Sequence, residues 1–323
     1  MTVIRAWTRL TKAHRRTAQG WETSGYGNAH WVAVAQRAVG CVEDVAQVVT
    51  GLARQPNACV IRGEPLPGIN WERTERRFKK EPVTFREEPR QWLMIDADDV
   101  KEPAGTLMML EPEECAEHAR GMLPEVFHDA RCYWQASASA AVKPGCRVHL
   151  WFWLSRPITS GQAKNWLRRC PVDRTIYTPI QPHYTADPIF TGATQDPMRQ
   201  RRGWLDGLED SVEVPAKLEE APSYDLAMAE LRGTPSDPDM VGEIVGRDPI
   251  VHRIFTGARP YPDRSTAHFA LSCALARAGV TDPDTIRTCL HAYDVIHQRD
   301  TSKIQRDDYA ARTIGAAISR VGA

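Results

Sequence analysis

The stretch Trp92-Leu93-Met94-Ile95-Asp96-Ala97-Asp98-Asp99 passes from four apolar residues directly into acid. A short apolar run bounded by charge predicts a buried strand whose end carries polar chemistry. A second such run, Val148-His149-Leu150-Trp151-Phe152-Trp153-Leu154, is apolar on both faces except for one histidine and is stopped by Ser155-Arg156-Pro157. A strand apolar on both faces belongs in the centre of a sheet, and proline ends its ladder.

Around these strands the first part of the chain alternates helices and strands. Arg5 to Arg16 is basic and carries Trp7, Leu10 and Ala13 at helical spacing, which predicts a helix with a solvated basic face. Val42 to Leu52 is a clearer amphipathic helix, and Ala58-Cys59-Val60-Ile61-Arg62-Gly63 a short strand ended by glycine. A helix is predicted from Gly161 to Arg169. From about Gly203 to Met240 the composition shifts to Glu, Asp, Pro and Ser, as in a connector, and everything beyond is helical. Asp282-Pro283 supplies an N-cap and a first-turn proline. The expected organisation is an α+β catalytic domain over residues 1–205, a linker over 206–240, and a small all-α bundle over 241–323.

Composition bounds the class. The 323 residues include 41 basic and 41 acidic side chains, with 42% hydrophobic and 25% charged residues, which excludes a mainly disordered, collagen-like or coiled-coil chain. No apolar run approaches the roughly 18 residues of a membrane span and the N-terminus lacks a signal-peptide core, so a cytoplasmic protein with no membrane partner is expected. The eight cysteines form no C-x-x-C pair, which argues against structural zinc and for reduced thiols. Zero net charge removes bulk electrostatics as an argument for nucleic-acid binding, but not local charge.

Asp96 and Asp98 lie two apart on a predicted strand, so both carboxylates project from one face while Asp99 points away. Such a pair resists double ionisation unless a divalent cation neutralises it, and oxygen ligands suit magnesium or manganese. The same pair also fits a solvated turn after a strand. His149 is either a hydrogen-bonded core histidine or, with Arg147 two residues earlier, an anion site for phosphate oxygens. A third acid is supplied by Asp173, with Asp187 before Pro188 as the competitor. The basic run Arg73, Arg76, Arg77, Lys79 and Lys80, interleaved with Trp71 and Phe78, is a candidate contact for single-stranded nucleic acid or a solvated face.

Taken in order, Ile95-Asp96-Ala97-Asp98, Arg147-Val148-His149 and Val172-Asp173 resemble the three motifs of archaeo-eukaryotic primases, the primase-polymerase superfamily. Gln181-Pro182-His183-Tyr184-Thr185-Ala186, Asp196-Pro197 and Arg201 are similar to its phage- and plasmid-encoded branch. The likeness covers most of residues 40–205, and the helical tail resembles the primase C-terminal domains of mobile elements. One departure is Arg147, where the family usually has a small residue. The resemblance implies an αβ N-terminal module and an RRM-like sheet that together form an active-site cleft. In it Asp96, Asp98 and Asp173 would be catalytic ligands of Mg2+ or Mn2+, with His149 and Arg147 on the nucleotide's phosphates. Gln181 and His183 either reach the nucleotide or template, or pack as a proline-bounded loop. Arg76, Arg77, Lys79, Lys80 and Arg201 are the expected nucleic-acid contacts.

The expected function is a DNA primase of a phage or plasmid, synthesising short primers de novo on single-stranded DNA from NTPs or dNTPs by two-metal nucleotidyl transfer and extending them as a polymerase. Two rival classes are a non-catalytic replication initiator on the same scaffold and another metal-dependent phosphotransfer enzyme such as a nuclease. Three acids and a histidine together argue against the initiator, and the absence of a His-hydrophobic-His motif against a rolling-circle nicking enzyme. With no G-x-x-x-x-G-K-[ST] in the chain, unwinding is expected from a separate replicative helicase.

Overall fold

The run predicted as a central strand is the longest strand of the protein's described residues, Cys146–Ile158, and is buried along most of its length. The computed structural model describes residues 1–323 apart from 28, 79–80, 221–237, 259–260, 262 and 323. In chain order its strands are β1 (Thr2–Ala6), β2 (Ala13–Thr17), β3 (Gly20–Ser24), β4 (Trp31–Gln36), β5 (Ala58–Ile61), β6 (Glu64–Pro65) and β7 (Thr74–Glu75). They continue with β8 (Phe85–Arg86), β9 (Arg90–Val100), β10 (Cys132–Ala136), β11 (Cys146–Ile158), β12 (His183–Tyr184), β13 (Ile189–Phe190) and β14 (Arg202–Leu205). The helices are α1 (Val42–Leu52), α2 (Pro112–Gly121), α3 (Ser160–Trp166), α4 (Pro238–Arg247), α5 (Pro249–Phe255), α6 (Arg264–Arg277), α7 (Pro283–Ile296), α8 (Ser302–Gln305) and α9 (Asp307–Val321). The chain is therefore mixed α+β, and it divides into two units, Met1–Ala221 and Pro222–Ala323.

Two sheets organise the first unit. One has the order β12-β5-β1-β4-β7 and the other β14-β10-β11-β9, the latter antiparallel throughout. Their main core includes Val45, Val49, Val60, Leu93, Ile95, Leu150, Trp151 and Phe152, and a smaller one under the first sheet joins Ile4, Leu10, Val32, Cys59 and Phe85. α1 contributes Val42, Val45, Ala46, Val49 and Leu52 as one buried stripe, and Glu43 and Asp44 sit at the positive end of its dipole. Arg62, directly after β5, ties the sheets together. Its guanidinium is fully buried and donates to the carbonyls of Trp92 (3.0 Å) and Ile158 (2.7 Å).

Three expectations are corrected. Arg5 to Arg16 is not a helix: Arg5 pairs with Ala33 and Ala58 inside β1, Leu10 fills the smaller core, and β2 begins at Ala13. Long-range pairing and the burial of Leu10 override the spacing of three. Ser155-Arg156-Pro157 does not stop β11, because a register shift between Trp153 and Ile158 absorbs the proline and Ser155 N donates instead to Val212 O at 2.9 Å. The expected linker begins too early. Residues 206–220 pack on the first unit through buried Val212 and Val214, the former bridged to Leu154; residues 221–237 lie outside the described residues.

In the second unit the helices bury Val251, Leu271, Leu275, Ile286, Leu290 and Ile314. Asp248, Asp263 and Asp282 each accept hydrogen bonds from the first-turn N–H groups of α5, α6 and α7. A polar pair sits inside this bundle: His268 Nε2 lies 2.9 Å from Asp294 Oδ1, and both residues are fully buried. Among the described residues no helix is long and apolar enough to cross a membrane.

Candidate functional site

Register places the site. Arg202 of β14 lies opposite Gln135 of β10, Gln135 opposite His149 of β11, and His149 opposite Asp96 of β9. Directly opposed residues share a face, so these four form one polar row across the sheet. The next row, Gly203, Trp134, Leu150 and Ile95, faces the other way and is apolar. Within the polar row, Gln135 Nε2 donates to Thr185 O at 2.6 Å, Arg202 is ion-paired with Asp187, and His149 Nε2 stands 3.6 Å from Asp96 Oδ1.

Beyond Asp96 the ladder shifts register, between the pairs Val148–Ala97 and Cys146–Val100. Bulges beside a site re-aim side chains, and here Asp98 Oδ2 meets Arg147 Nη1 at 3.2 Å. The turn that returns the chain into β11 depends on Gly145, whose φ is +96°. A Cβ there would lie 2.8 Å from the Val100 carbonyl oxygen. Asp173 is exposed in the loop after α3, and its N–H donates to Asp96 O at 2.9 Å.

Electrostatics join these groups. Burial, then the neighbouring Asp98 and Asp173, holds the Asp96 carboxyl well above the ordinary carboxylate range, against the opposing pull of Lys12 and Arg147. Burial pushes His149 down to about 4, with Lys12 reinforcing and Asp98 opposing. Lys12 is lowered by its own burial, although Asp98 and Asp96 pull the other way, and its Nζ is held 2.8 Å from Ser139 Oγ. Asp96 Oδ1, Asp98 Oδ1 and His149 Nδ1 are buried without a hydrogen-bond partner among the described residues.

Partnerless carboxylate oxygens crowded by a third acid are hard donors of the kind magnesium and manganese take. The residues present thus fit a divalent cation. As the side chains stand, however, no three His, Cys, Asp or Glu residues among those described are gathered into a ligand set. Asp96 and Asp98 are the pair with open oxygens, and Asp173 contributes charge from the adjoining loop.

The remaining sequence candidates separate. His183 is fully buried, with its ring edge-on to Trp92 (5.6 Å between centroids) and Trp151 (6.4 Å). It lies in β12, opposite Val60 of β5, and Gln181 is half-buried just before that strand. Arg201 is 8% exposed and forks onto Asp196 at 2.5 and 2.7 Å, so it braces the turn before β14. Arg77 is held by Glu75 (2.5 Å) and Arg76 is partly buried near Cys59 and Tyr184. Asp187 is occupied by Arg202. Lys79, Lys80 and the side chain of Asp99 lie outside the described residues.

Three residues near the acids escaped sequence reasoning. Lys12 was hidden by the helical reading of its segment; Gln135 has no motif and is identified only by its register opposite His149. Tyr26, whose ring lies tilted against Tyr184 with 4.5 Å between centroids, feels both Asp96 and Asp98, and its phenol is raised chiefly by burial. Compared with models of known protein families, with curated proteins and with solved structures, the chain matches none.

Proposed function

We propose that the first unit is a nucleotidyl transferase of the primase-polymerase type, which starts primers on single-stranded DNA from NTPs or dNTPs and also extends them. The observation that carries this reading is the row in which His149 faces Asp96 while Asp98 and Asp173 crowd the same carboxyl. On this reading the β14-β10-β11-β9 sheet is the RRM-like half of the fold, and the β12-β5-β1-β4-β7 sheet with α1 is its αβ N-terminal module. The helical unit is the accompanying primase C-terminal domain, the host element is a phage or plasmid, and a separate helicase unwinds the template.

Asp96 and Asp98, joined by Asp173, would hold Mg2+ or Mn2+. The chemistry supplied there would be that of two ions, one lowering the pKa of an attacking 3′-hydroxyl and the other neutralising the charge on the pyrophosphate leaving group. His149, neutral at pH 7, offers an N–H donor to a phosphate oxygen and adds no charge of its own. Lys12 and Arg147 supply positive charge that acts on the acids, so an incoming triphosphate would meet donors already in place and little reorganisation would be needed. Lys12 thus joins the residues assigned from sequence.

The test is incubation of the full chain with single-stranded DNA, labelled nucleotides and magnesium or manganese, scored for short products without an added primer. Such products are expected from the unmutated protein and none from Asp96→Ala or Asp98→Ala, with both variants folded by circular dichroism. Synthesis surviving in both variants overturns the assignment.

A further inference from the structure

Three tryptophans of the first unit remain exposed in β4 and in the segments next to β1 and β7. Trp7, Trp31 and Trp71 are 63%, 47% and 45% exposed. Trp31 opens β4, and Trp7 follows Ala6, the partner of Val32, so both come to the same end of the sheet. On the other side of β4, the Trp71 carbonyl accepts from Val34 N at 2.8 Å, in the segment leading to β7. Indole surface left in water is unfavourable, and several such rings beside one sheet mark a contact surface.

Cations accompany the rings. The Arg73 guanidinium lies 5.1 Å from the Trp31 ring centroid. Arg5 and Arg37 line a groove of about 400 Å3 that β1 and β4 form with α1. Among the described residues none of the three is ion-paired: Arg5 donates to Gln55 Oε1 and Arg37 to the Gln36 carbonyl. Asp96, His149 and Lys12 do not line this groove.

We propose that this strip binds single-stranded nucleic acid at a site separate from the catalytic row, with bases stacking on the indoles and phosphates neutralised by Arg5, Arg37 and Arg73. Unpaired bases offer π-faces that a duplex conceals, and arginine extends an aromatic platform by stacking on it. An acidic protein partner would use the arginines but gain little from three indoles. The proposal deepens the primase reading, whose template is single-stranded DNA, and rests on that reading only for which strand is bound.

Binding is measured without nucleotides or divalent cations, so its outcome is independent of catalysis. The probe is a fluorescently labelled oligothymidylate titrated with the full chain and followed by anisotropy. Alanine at both Trp7 and Trp31 weakens binding by about 10-fold or more, since each stacked base contributes a several-fold factor. Trp31→Phe retains most of the affinity. Glutamine at Arg5, Arg37 and Arg73 together flattens the salt dependence by a slope of about 2. The proposal is overturned if the unmutated chain does not bind the strand, or if the double tryptophan variant, folded by circular dichroism, binds within about twofold of it. It is also overturned if a duplex of equal length competes as well as the strand, because the indoles would then not be reading bases.

Discussion

Replacing Arg62 by alanine should loosen the first unit by about 3 kcal/mol. The guanidinium is fully buried, donates to the Trp92 and Ile158 carbonyls and to Ser160 Oγ, and lies 5.4 Å from the Trp92 ring centroid. Stripping two buried carbonyls of their donors costs about 1–3 kcal/mol each, and the space left by a long side chain costs about 2 kcal/mol more. Against this, burial holds the Arg62 pKa at about 10 rather than 12.5, a penalty of about 3 kcal/mol that the variant recovers. Arg62→Met, which fills the space, should lose only about 1 kcal/mol. Urea unfolding followed by tryptophan fluorescence reads this directly, because all ten tryptophans, from Trp7 to Trp204, lie in the first unit. A midpoint for Arg62→Ala corresponding to less than about 0.5 kcal/mol of destabilisation would show that the carbonyls find other partners and that Arg62 does not join the sheets.

Asp173→Ala should reduce primer synthesis by at least about 100-fold with stability unchanged, as expected for an exposed ligand. Asp187→Ala should leave Arg202 unpaired and cost about 1 kcal/mol while retaining more activity, and the reverse order in a primer assay would relocate the third acid. His183 is held well below the ordinary 6.5 by burial, with Arg62 and His149 adding, so it stays neutral in the folded chain while the unfolded ring takes up a proton. The first unit should therefore lose up to about 1.4 kcal/mol per pH unit from this group on acidification below 6.5. His183→Asn should flatten that dependence in urea titrations, and an unchanged slope would contradict the buried neutral ring. A chain ending at Met240 should keep addition to a preformed primer but lose most unprimed synthesis, since initiation must gather two nucleotides and a template without a duplex to grip; equal initiation by both chains would remove the tail from that step.

What could be read from sequence was local. α1 declared itself by its valine stripe, and α7 by Asp282-Pro283, because caps and periodicity act within a few residues. Asp96, Asp98 and His149 stood out because acids and a histidine interrupt apolar runs. The misreadings involve partners far along the chain. Leu10 and Ala13 keep a spacing of three, yet the neighbouring backbone is committed to strand by Ala33 and Ala58, dozens of residues away. The alternation Ser211-Val212-Glu213-Val214 is a strand-like pattern inside a connector-like composition, and only contact with Leu154 and Ser155 reveals which reading prevails. His183 was legible as a histidine but not as a buried one, since its surroundings are Trp92 and Trp151 on other strands.

The order of the strands also sets an order in time. β12, β13 and β14 are the last strands of the first unit to leave the ribosome, yet they pair with β5, β2 and β10, made much earlier. A nascent chain that has not yet released residue 205 therefore carries open edges on these sheets, and edges of that kind recruit other chains. Gln135 meanwhile waits for Thr185, and the row through His149 ends without Arg202. The row is thus incomplete until the unit's final strand is in place, and a product truncated anywhere before Leu205 keeps the open edges that favour aggregation.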